Sequence, residues 1–418
     1  MIKYNSIIIK IRTFLENKKR NYLIITQAIN ALLGLIVGKL IAEFIIPEEL
    51  GLYNIQFAIF SFFMLLFISP SIQFLKSTYF SFVQKIGIKF YFITLGWLCF
   101  LMFFALLLFF SVYKPETFYN KNLTFIFFLI IPLTAFSNIL LDQFNVFNKI
   151  ELFSIQSISS SLTGLIFLIV VFYLFTEVEK NSFILWLMQF FSLVISVIVF
   201  IKKYKFVLNK SRIVTYRLFL IKHFRFTFPL MFLALWSWLN SYFDRFVLEH
   251  FMTLKDVGVY NANYGLGSKF FLVIYPVFLV LLTPYVYNDN SIRYKKNIIL
   301  SYSKNYLILG TVVLFIIFVF RKNIGSILLS NSYSDGFNLI FWIALAYFII
   351  TATYLFESIF YAYHKTKIIL FGTVLCAIVS LVLNLTFVQQ IGIYAAVLAV
   401  ICSSLVRLMY IFYKFQKL

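Results

Sequence analysis

Two short stretches decide how this chain reads: PEELGLYN at Pro47–Asn54 and LKDVGVYN at Leu254–Asn261. Both close on Gly-x-Tyr-Asn, and upstream of each lies a basic and an acidic residue four apart, Lys39/Glu43 in one case and Arg245/Glu249 in the other. Gly51 and Gly258 are separated by about half of the 418-residue length. A second echo, FNK at Phe147–Lys149 and YHK at Tyr363–Lys365, has a comparable separation. Matched order and spacing over the whole length point to an internal duplication.

What is duplicated follows from composition. Hydrophobic residues make up 62% and charged residues 12% of the chain, against roughly 25% charged in soluble domains, which excludes a soluble globular protein and a disordered one. Apolar runs near or above the ~18 residues that cross a bilayer as a helix recur from Tyr22 to the C-terminus. They predict an all-α polytopic membrane protein with twelve spans, at 22–46, 52–75, 90–112, 123–141, 152–175, 183–201, 226–248, 259–287, 305–320, 338–361, 368–388 and 393–413.

Orientation follows from the basic residues. With the N-terminus placed in the cytoplasm, twenty-six of the 36 Lys and Arg fall in cytoplasmic segments and six in outer loops, so both termini are expected inside. The net charge of +21 is therefore a topology signal rather than a nucleic-acid footprint. Residues 1–21 carry Ile7, Ile8, Ile11, Phe14 and Leu15 on one helical face and lead into an apolar run too long for a cleavable signal core; they read as an interfacial amphipathic helix. The basic stretch 202–225 reads as a cytoplasmic linker resting on anionic membrane lipids. It separates a six-helix lobe at 22–201 from another at 226–418. Six spans per repeat keep the two copies parallel, related by a pseudo-two-fold axis along the membrane normal, an arrangement suited to two bundles that enclose a midplane cavity and rock about it.

Enzymatic signatures are missing. Cys99, Cys376 and Cys402, like His223, His250 and His364, are scattered singly, and neither a phosphate-binding GxxxxGK[ST] loop nor an HExxH helix occurs. No metal or cofactor is expected, and any driving energy comes from elsewhere.

An ionisable group within hydrocarbon costs at least about 2.5–3.5 kcal/mol on insertion scales, so each one calls for a partner, a wet cavity or a snorkelling position. These groups are Lys39, Glu43, Asp244, Arg245, Lys269, Glu357 and Arg407. Glu43, Arg245 and Arg407 lie near span ends, where snorkelling is available. If the bases point inward, Lys39, Arg245, Lys269 and Arg407 from both halves, with Asn240, make a cationic cavity suited to a diphosphate or an acidic sugar. Asp244, Glu357 and Glu43 then either neutralise the bases or hold a coupling Na⁺ or H⁺. Span seven carries a polar stripe of Ser237, Asn240, Ser241 and Asp244, and span ten one of Thr353, Glu357 and Tyr361. Uncharged stripes of this kind serve interhelical hydrogen bonding as readily as cargo contact. Gly34-x-x-x-Gly38 reads as close helix packing, and Pro276, mid-span in the eighth helix, as a hinge.

Taken together, the first helix leading into PEELGLYN, span seven FPLMFLALWSWLNSYFDRFVL with LKDVGVYN, the Tyr361–Thr366 segment and LNLTFVQQIGIYAAVLAVICSS from Leu383 resemble the polysaccharide-flippase (Wzx-like) branch of the MOP superfamily over nearly the whole chain. The resemblance implies two helical bundles of MATE-like fold. It further implies translocation of an undecaprenyl-diphosphate-linked oligosaccharide, for O-antigen, capsule or exopolysaccharide, between leaflets of a bacterial inner membrane, alongside a polymerase of the same glycan pathway. Lys39 and the Asp244–Arg245 pair match family positions, whereas Glu43 does not belong to the pattern. Two alternatives remain. A MATE-type exporter of organic cations shares the fold but favours an acidic cavity, and a membrane glycan polymerase should display a substantial outer loop, which this chain lacks.

Overall fold

A computed structural model describes residues 2–79, 83, 88–113, 121–146, 149–175, 177–203, 216–287 and 291–418. Its helices correspond one to one with the twelve spans expected from the sequence. They are α1 (Ile2–Phe44), α2 (Pro47–Thr78), α3 (Ile88–Val112), α4 (Lys121–Val146), α5 (Ile150–Leu174) and α6 (Ser182–Lys203), then α7 (Tyr216–Phe251), α8 (Leu254–Val286), α9 (Ile292–Leu328), α10 (Leu339–Ala362), α11 (Thr366–Ile391) and α12 (Ile393–Gln416). Among the described residues eleven are long and apolar enough to cross a membrane, and Ser182–Ile198 of α6 is a shorter apolar helix. The twelve helices alternate in direction, so both termini lie on one face, called here the termini face, where Lys296 at the start of α9 donates to Gln416 O at the end of α12. Residues 2–21 form the first part of α1 as one continuous helix; their side chains, where the interfacial face was expected, lie outside the described residues. So do 204–215 of the expected linker and Phe147–Asn148 of the FNK echo.

Local chemistry sets the helix ends. Pro47 occupies the first turn of α2, where its missing N–H has no helical partner to lose, and Glu48 and Glu49 face the positive end of the helix dipole. At the equivalent start of α8 a capping box does this work, Thr253 and Asp256 each satisfying the other's backbone N–H. Gly392 alone joins α11 to α12 at φ 62°, a conformation that disfavours a side chain. In α2 the ladder widens to a π turn over Met64–Ile68, just before Pro70, whose ring cannot donate to the preceding turn.

The helix contacts repeat when six is added to each helix number. α1 packs on α5 as α7 packs on α11, α5 on α6 as α11 on α12, α4 on α6 as α10 on α12, and α3 on α4 as α9 on α10. Across the halves, α1 meets α8 as α7 meets α2, and α2 meets α8. This mapping is the geometric form of the duplication. Within lipid, apolar helices gain nothing from water exclusion, so association rests on fit and on polar contacts. The aromatic content supplies fit: Trp186 sits among Tyr53, Phe60 and Phe127 with ring centroids 5.3, 5.5 and 4.8 Å away, and its Nε1 donates to Gln56 at 2.8 Å.

Candidate functional site

The termini-side halves of α7, α8, α10, α11 and α12 surround a cavity of about 950 Å³ that reaches the termini face at Tyr287 and Lys367. Tyr275 of α8 and Tyr354 of α10 face each other at its wall, their rings 5.3 Å apart. Deeper in the wall an ion pair crosses from α12 to α10. Arg407 Nη2 and Nε reach Glu357 Oε1 at 2.8 and 3.0 Å, and the guanidinium lies over the Tyr354 ring at 5.5 Å. Glu357 is 2% exposed, so its charge stands in the hydrocarbon only because Arg407 meets it.

Ser237, Tyr354, Thr373 and Arg407 also border a second chamber of about 150 Å³. It extends the space past the ion pair, between Asn240 and Ser241 of α7, Tyr264 of α8, Tyr347 and Thr353 of α10, and Ser403 and Ser404 of α12. Asn240 Nδ2 donates to Thr373 O at 3.0 Å and ties α7 to α11 at the chamber wall.

The other expected site residues lie elsewhere. Asp244 and Arg245 are buried together at 2.9 Å, with Tyr260 donating to Asp244 Oδ2 at 2.5 Å and Arg245 Nε to Asn261 Oδ1 at 2.7 Å. Arg245 Nη1 also donates to Ser241 O, and the guanidinium is sandwiched by Tyr242 and Tyr264 at 5.0 and 5.2 Å. Lys269 crosses from α8 to α1 and donates to Gly34 O at 2.7 Å. Lys39 donates to Leu329 O, just past the end of α9, at 2.7 Å, and Glu43 is exposed. Lys269 borders a separate pocket of about 160 Å³, whose wall also holds Leu329 and Asn261, the acceptors of Lys39 and Arg245, while Arg407 stands in the larger cavity. The physical reason is local: each reaches the nearest acceptor that hydrocarbon burial leaves available. Gly34 and Gly38 make room for the Lys269 ammonium, which a Cβ on either would approach to 3.7 and 3.6 Å, rather than for a neighbouring helix backbone as expected. Pro276 adjoins the cavity residue Tyr275 and lies within the unbroken helix α8.

Opposite the cavity the starts of α2 and α8 form a local seal. A Cβ on Gly51 would overlap the Leu254 carbonyl, and one on Gly258 would overlap the Pro47 carbonyl, so the duplicated glycines let the starts of α2 and α8 cross backbone to backbone. Beside them, Ser330 and Tyr333 donate to Ala42 O and Ile45 O at 2.5 and 2.7 Å, closing the end of α1 with the segment between α9 and α10. The echoed asparagines act alike, Asn54 and Asn261 each donating to the carbonyl four residues back.

Tyr275, Tyr347, Tyr354, Lys367, Ser403 and Ser404 were not singled out from the sequence. One signal was present: Tyr347, Tyr354 and Tyr361 recur at every seventh residue, which places them on one face of α10.

A family model described as polysaccharide biosynthesis protein matches residues 18–288. Among solved structures, a lipid II flippase, MurJ, in an inward closed conformation is similar with a TM-score of 0.64 at 16% identity, over 94% of this chain and 87% of that one. An inward-facing multidrug resistance MATE family transporter of the MOP superfamily is similar with a TM-score of 0.65 at 12% identity, over 93% and 95%. A mutant of the Vibrio cholerae MATE transporter VcmN gives 0.53 at 15%, over 96% and 93%. At these identities the likeness establishes the fold. No curated protein sequence matches.

Proposed function

The chain belongs to the polysaccharide biosynthesis protein family, and from that premise we propose that it is a flippase for an undecaprenyl-diphosphate-linked oligosaccharide, an O-antigen, capsule or exopolysaccharide unit. It acts in a bacterial inner membrane with both termini cytoplasmic, and hands its cargo to a polymerase on the outer side. The observation that carries this reading is the one-sided cavity: about 950 Å³, reaching the termini face and closed opposite by the Gly51–Gly258 crossing.

The physical task fits that shape. A diphosphate and a hydrophilic glycan cannot enter hydrocarbon unaided, whereas the polyprenyl tail is at home in lipid. The cavity offers tyrosine faces and hydroxyls for sugar, and Lys367 at its mouth for phosphate. Opening the glycine seal while the termini side closes, with α8 bending at Pro276, moves the head group across. Net direction comes from an ion gradient or from consumption of the cargo outside. Asp244 and Glu357 serve as neutralising partners of Arg245 and Arg407. This also separates the flippase from a cation exporter, because the cavity carboxylate Glu357 is already held by Arg407 and Lys367 leaves the wall net positive.

Deletion of the gene in its native host should strand lipid-linked glycan on the cytoplasmic leaflet, read by its protection from a membrane-impermeant oxidant in right-side-out vesicles, and the wild-type chain should restore exposure. Unchanged surface glycan in the deletion strain would overturn the reading.

A further inference from the structure

We propose that the 150 Å³ chamber beyond the Arg407–Glu357 pair is a subsite for one neutral sugar at the end of the cargo's glycan; this rests on the flippase reading above. The argument starts from where the hydroxyl protons go. Ser241 donates to Ser237 O at 3.0 Å, Thr353 to Ile349 O at 2.9 Å, Thr373 to Ile369 O at 3.0 Å, Ser403 to Val400 O at 3.1 Å and Ser404 to Ile401 O at 2.8 Å. Each proton is engaged by its own helix; Thr353, Ser403 and Ser404 are buried, and the hydroxyl oxygens of Ser241 and Thr373, which are not, keep lone pairs for a further donor. Asn240 likewise uses its Nδ2 on Thr373 O and keeps its carbonyl oxygen. The chamber is therefore bordered by hydroxyl acceptors of α7 and α11, with the second N–H of Asn240 and the phenol proton left over from the Tyr264–Tyr347 pair as donors.

Charge then selects the ligand class. The charged residue bordering the chamber is Arg407, and its partner Glu357 faces the larger cavity. An organic or metal cation would meet that guanidinium and find no carboxylate on the chamber wall, because Glu357 is already engaged by Arg407. An anion would compete with Glu357 for a group already engaged and would face the surrounding lone pairs. A neutral molecule with several O–H donors meets neither penalty, and the rings of Tyr264, Tyr347 and Tyr354 give its C–H face an apolar surface. Of the cargo's parts, a monosaccharide has that chemistry; the diphosphate and the polyprenyl chain do not. Because the chamber continues the cavity past the ion pair, away from the Lys367 mouth, it takes a sugar remote from the diphosphate.

The test measures binding to the full-length protein in lipid nanodiscs by titration calorimetry. The probes are farnesyl diphosphate alone and farnesyl diphosphate bearing a short neutral glycan, drawn from a panel that varies the terminal sugar and includes a terminal uronic acid. At least one neutral terminal sugar should improve affinity over the bare diphosphate by about tenfold, the worth of a pair of hydrogen bonds, and the uronic acid by less. In Ser241→Leu, which fills the chamber, and in Thr373→Val, which keeps its volume and removes the acceptor, that ratio should fall to about twofold or less. Because the readout is a ratio of two affinities within one variant, loss of folded protein does not move it. Equal binding of bare and glycosylated probes, a larger gain for the uronic acid, or a ratio unaltered in both variants would overturn the subsite while leaving the flippase reading in place. Failure of every probe, the bare diphosphate included, would overturn both.

Discussion

The α1–α5 seam and the α7–α11 seam are the same place in the two halves, yet one is laced by short hydrogen bonds and the other opens beside a cavity. Between α1 and α5, Thr26 donates to Ser154 at 2.7 Å, Asn30 to Ser157 at 2.8 Å, and Ser161 back to Asn30 Oδ1 at 3.0 Å. A second cluster joins Ser137, Ser196 and Gln156 behind it, Gln156 reaching Ser196 at 2.8 Å. Small hydroxyls satisfy one another across a short gap and join the two helices. Between α7 and α11, Asn240 holds the backbone of Thr373, while Tyr275, Tyr354 and the Arg407–Glu357 pair line the open space next to them. Duplication thus preserved the framework and placed the large polar side chains in one copy. The difference teaches that this cavity accompanies a wall of tyrosines and an ion pair, whereas the α1–α5 seam is joined by small hydroxyls and an amide.

The largest effect expected from breaking that asymmetry is at the ion pair. Arg407→Ala strands Glu357, 2% exposed, without its cation, and removing one partner of a buried pair costs about 3–5 kcal/mol. Denaturant unfolding in nanodiscs should show that loss, and the double variant Arg407→Ala/Glu357→Ala should recover most of it. No position of the N-terminal seam should approach this cost, because its polar groups are neutral. Full stability in the single variant would show that the cavity wall does not depend on the pair.

How much of this the chain disclosed beforehand differs between framework and site. The twelve spans and the repeat were legible because span length, apolar content and the punctuation of Lys and Arg are local properties of sequence. So was the glycine echo at Gly51 and Gly258, although its meaning, a crossing of two helix starts, needs both copies in space. Placement of the intramembrane charges was not legible. Periodicity assigns Lys39, Arg245 and Lys269 to helix faces, but their partners are the Leu329 carbonyl, Asp244 with Asn261, and the Gly34 carbonyl. Backbone acceptors leave no mark in composition, so composition does not disclose that Arg407 lines the larger cavity while Lys269 and the acceptors of Lys39 and Arg245 border another pocket. Of the every-seventh tyrosines of α10, Tyr361 falls in the polar stripe with Thr353 and Glu357, while Tyr347 and Tyr354 stand out less in a chain already rich in aromatics.

The seal opposite the cavity sharpens the comparison differently, since there the two halves are equal. Gly51→Ala and Gly258→Ala each force a methyl group into a facing backbone carbonyl, and overpacking of this kind costs about 1–3 kcal/mol. Both should shift the equilibrium toward the state open on that side and slow flipping, by similar amounts. Electron–electron distances between spin labels at the starts of α2 and α8 should lengthen in each. Gly96→Ala, with nothing within 4 Å of the added Cβ, is the control. A marked inequality between the two glycines would show that the crossing is not functionally two-fold.

The smallest effect belongs to the α1–α5 seam. Thr26→Val keeps the shape of the side chain and removes the donor to Ser154; an interhelical hydrogen bond in a membrane is worth about 0.6 kcal/mol on average. Flipping should be nearly unchanged and stability only slightly lower, because Asn30, Ser157 and Ser161 continue to join α1 to α5. Replacing the ladder as a whole, Thr26→Val with Asn30→Leu and Ser161→Ala, should cost more in stability than in transport if the N-terminal half is scaffold. Should that variant instead lose transport at preserved stability, the serine seam would be a second moving part, and the assignment of the site to one half would fail.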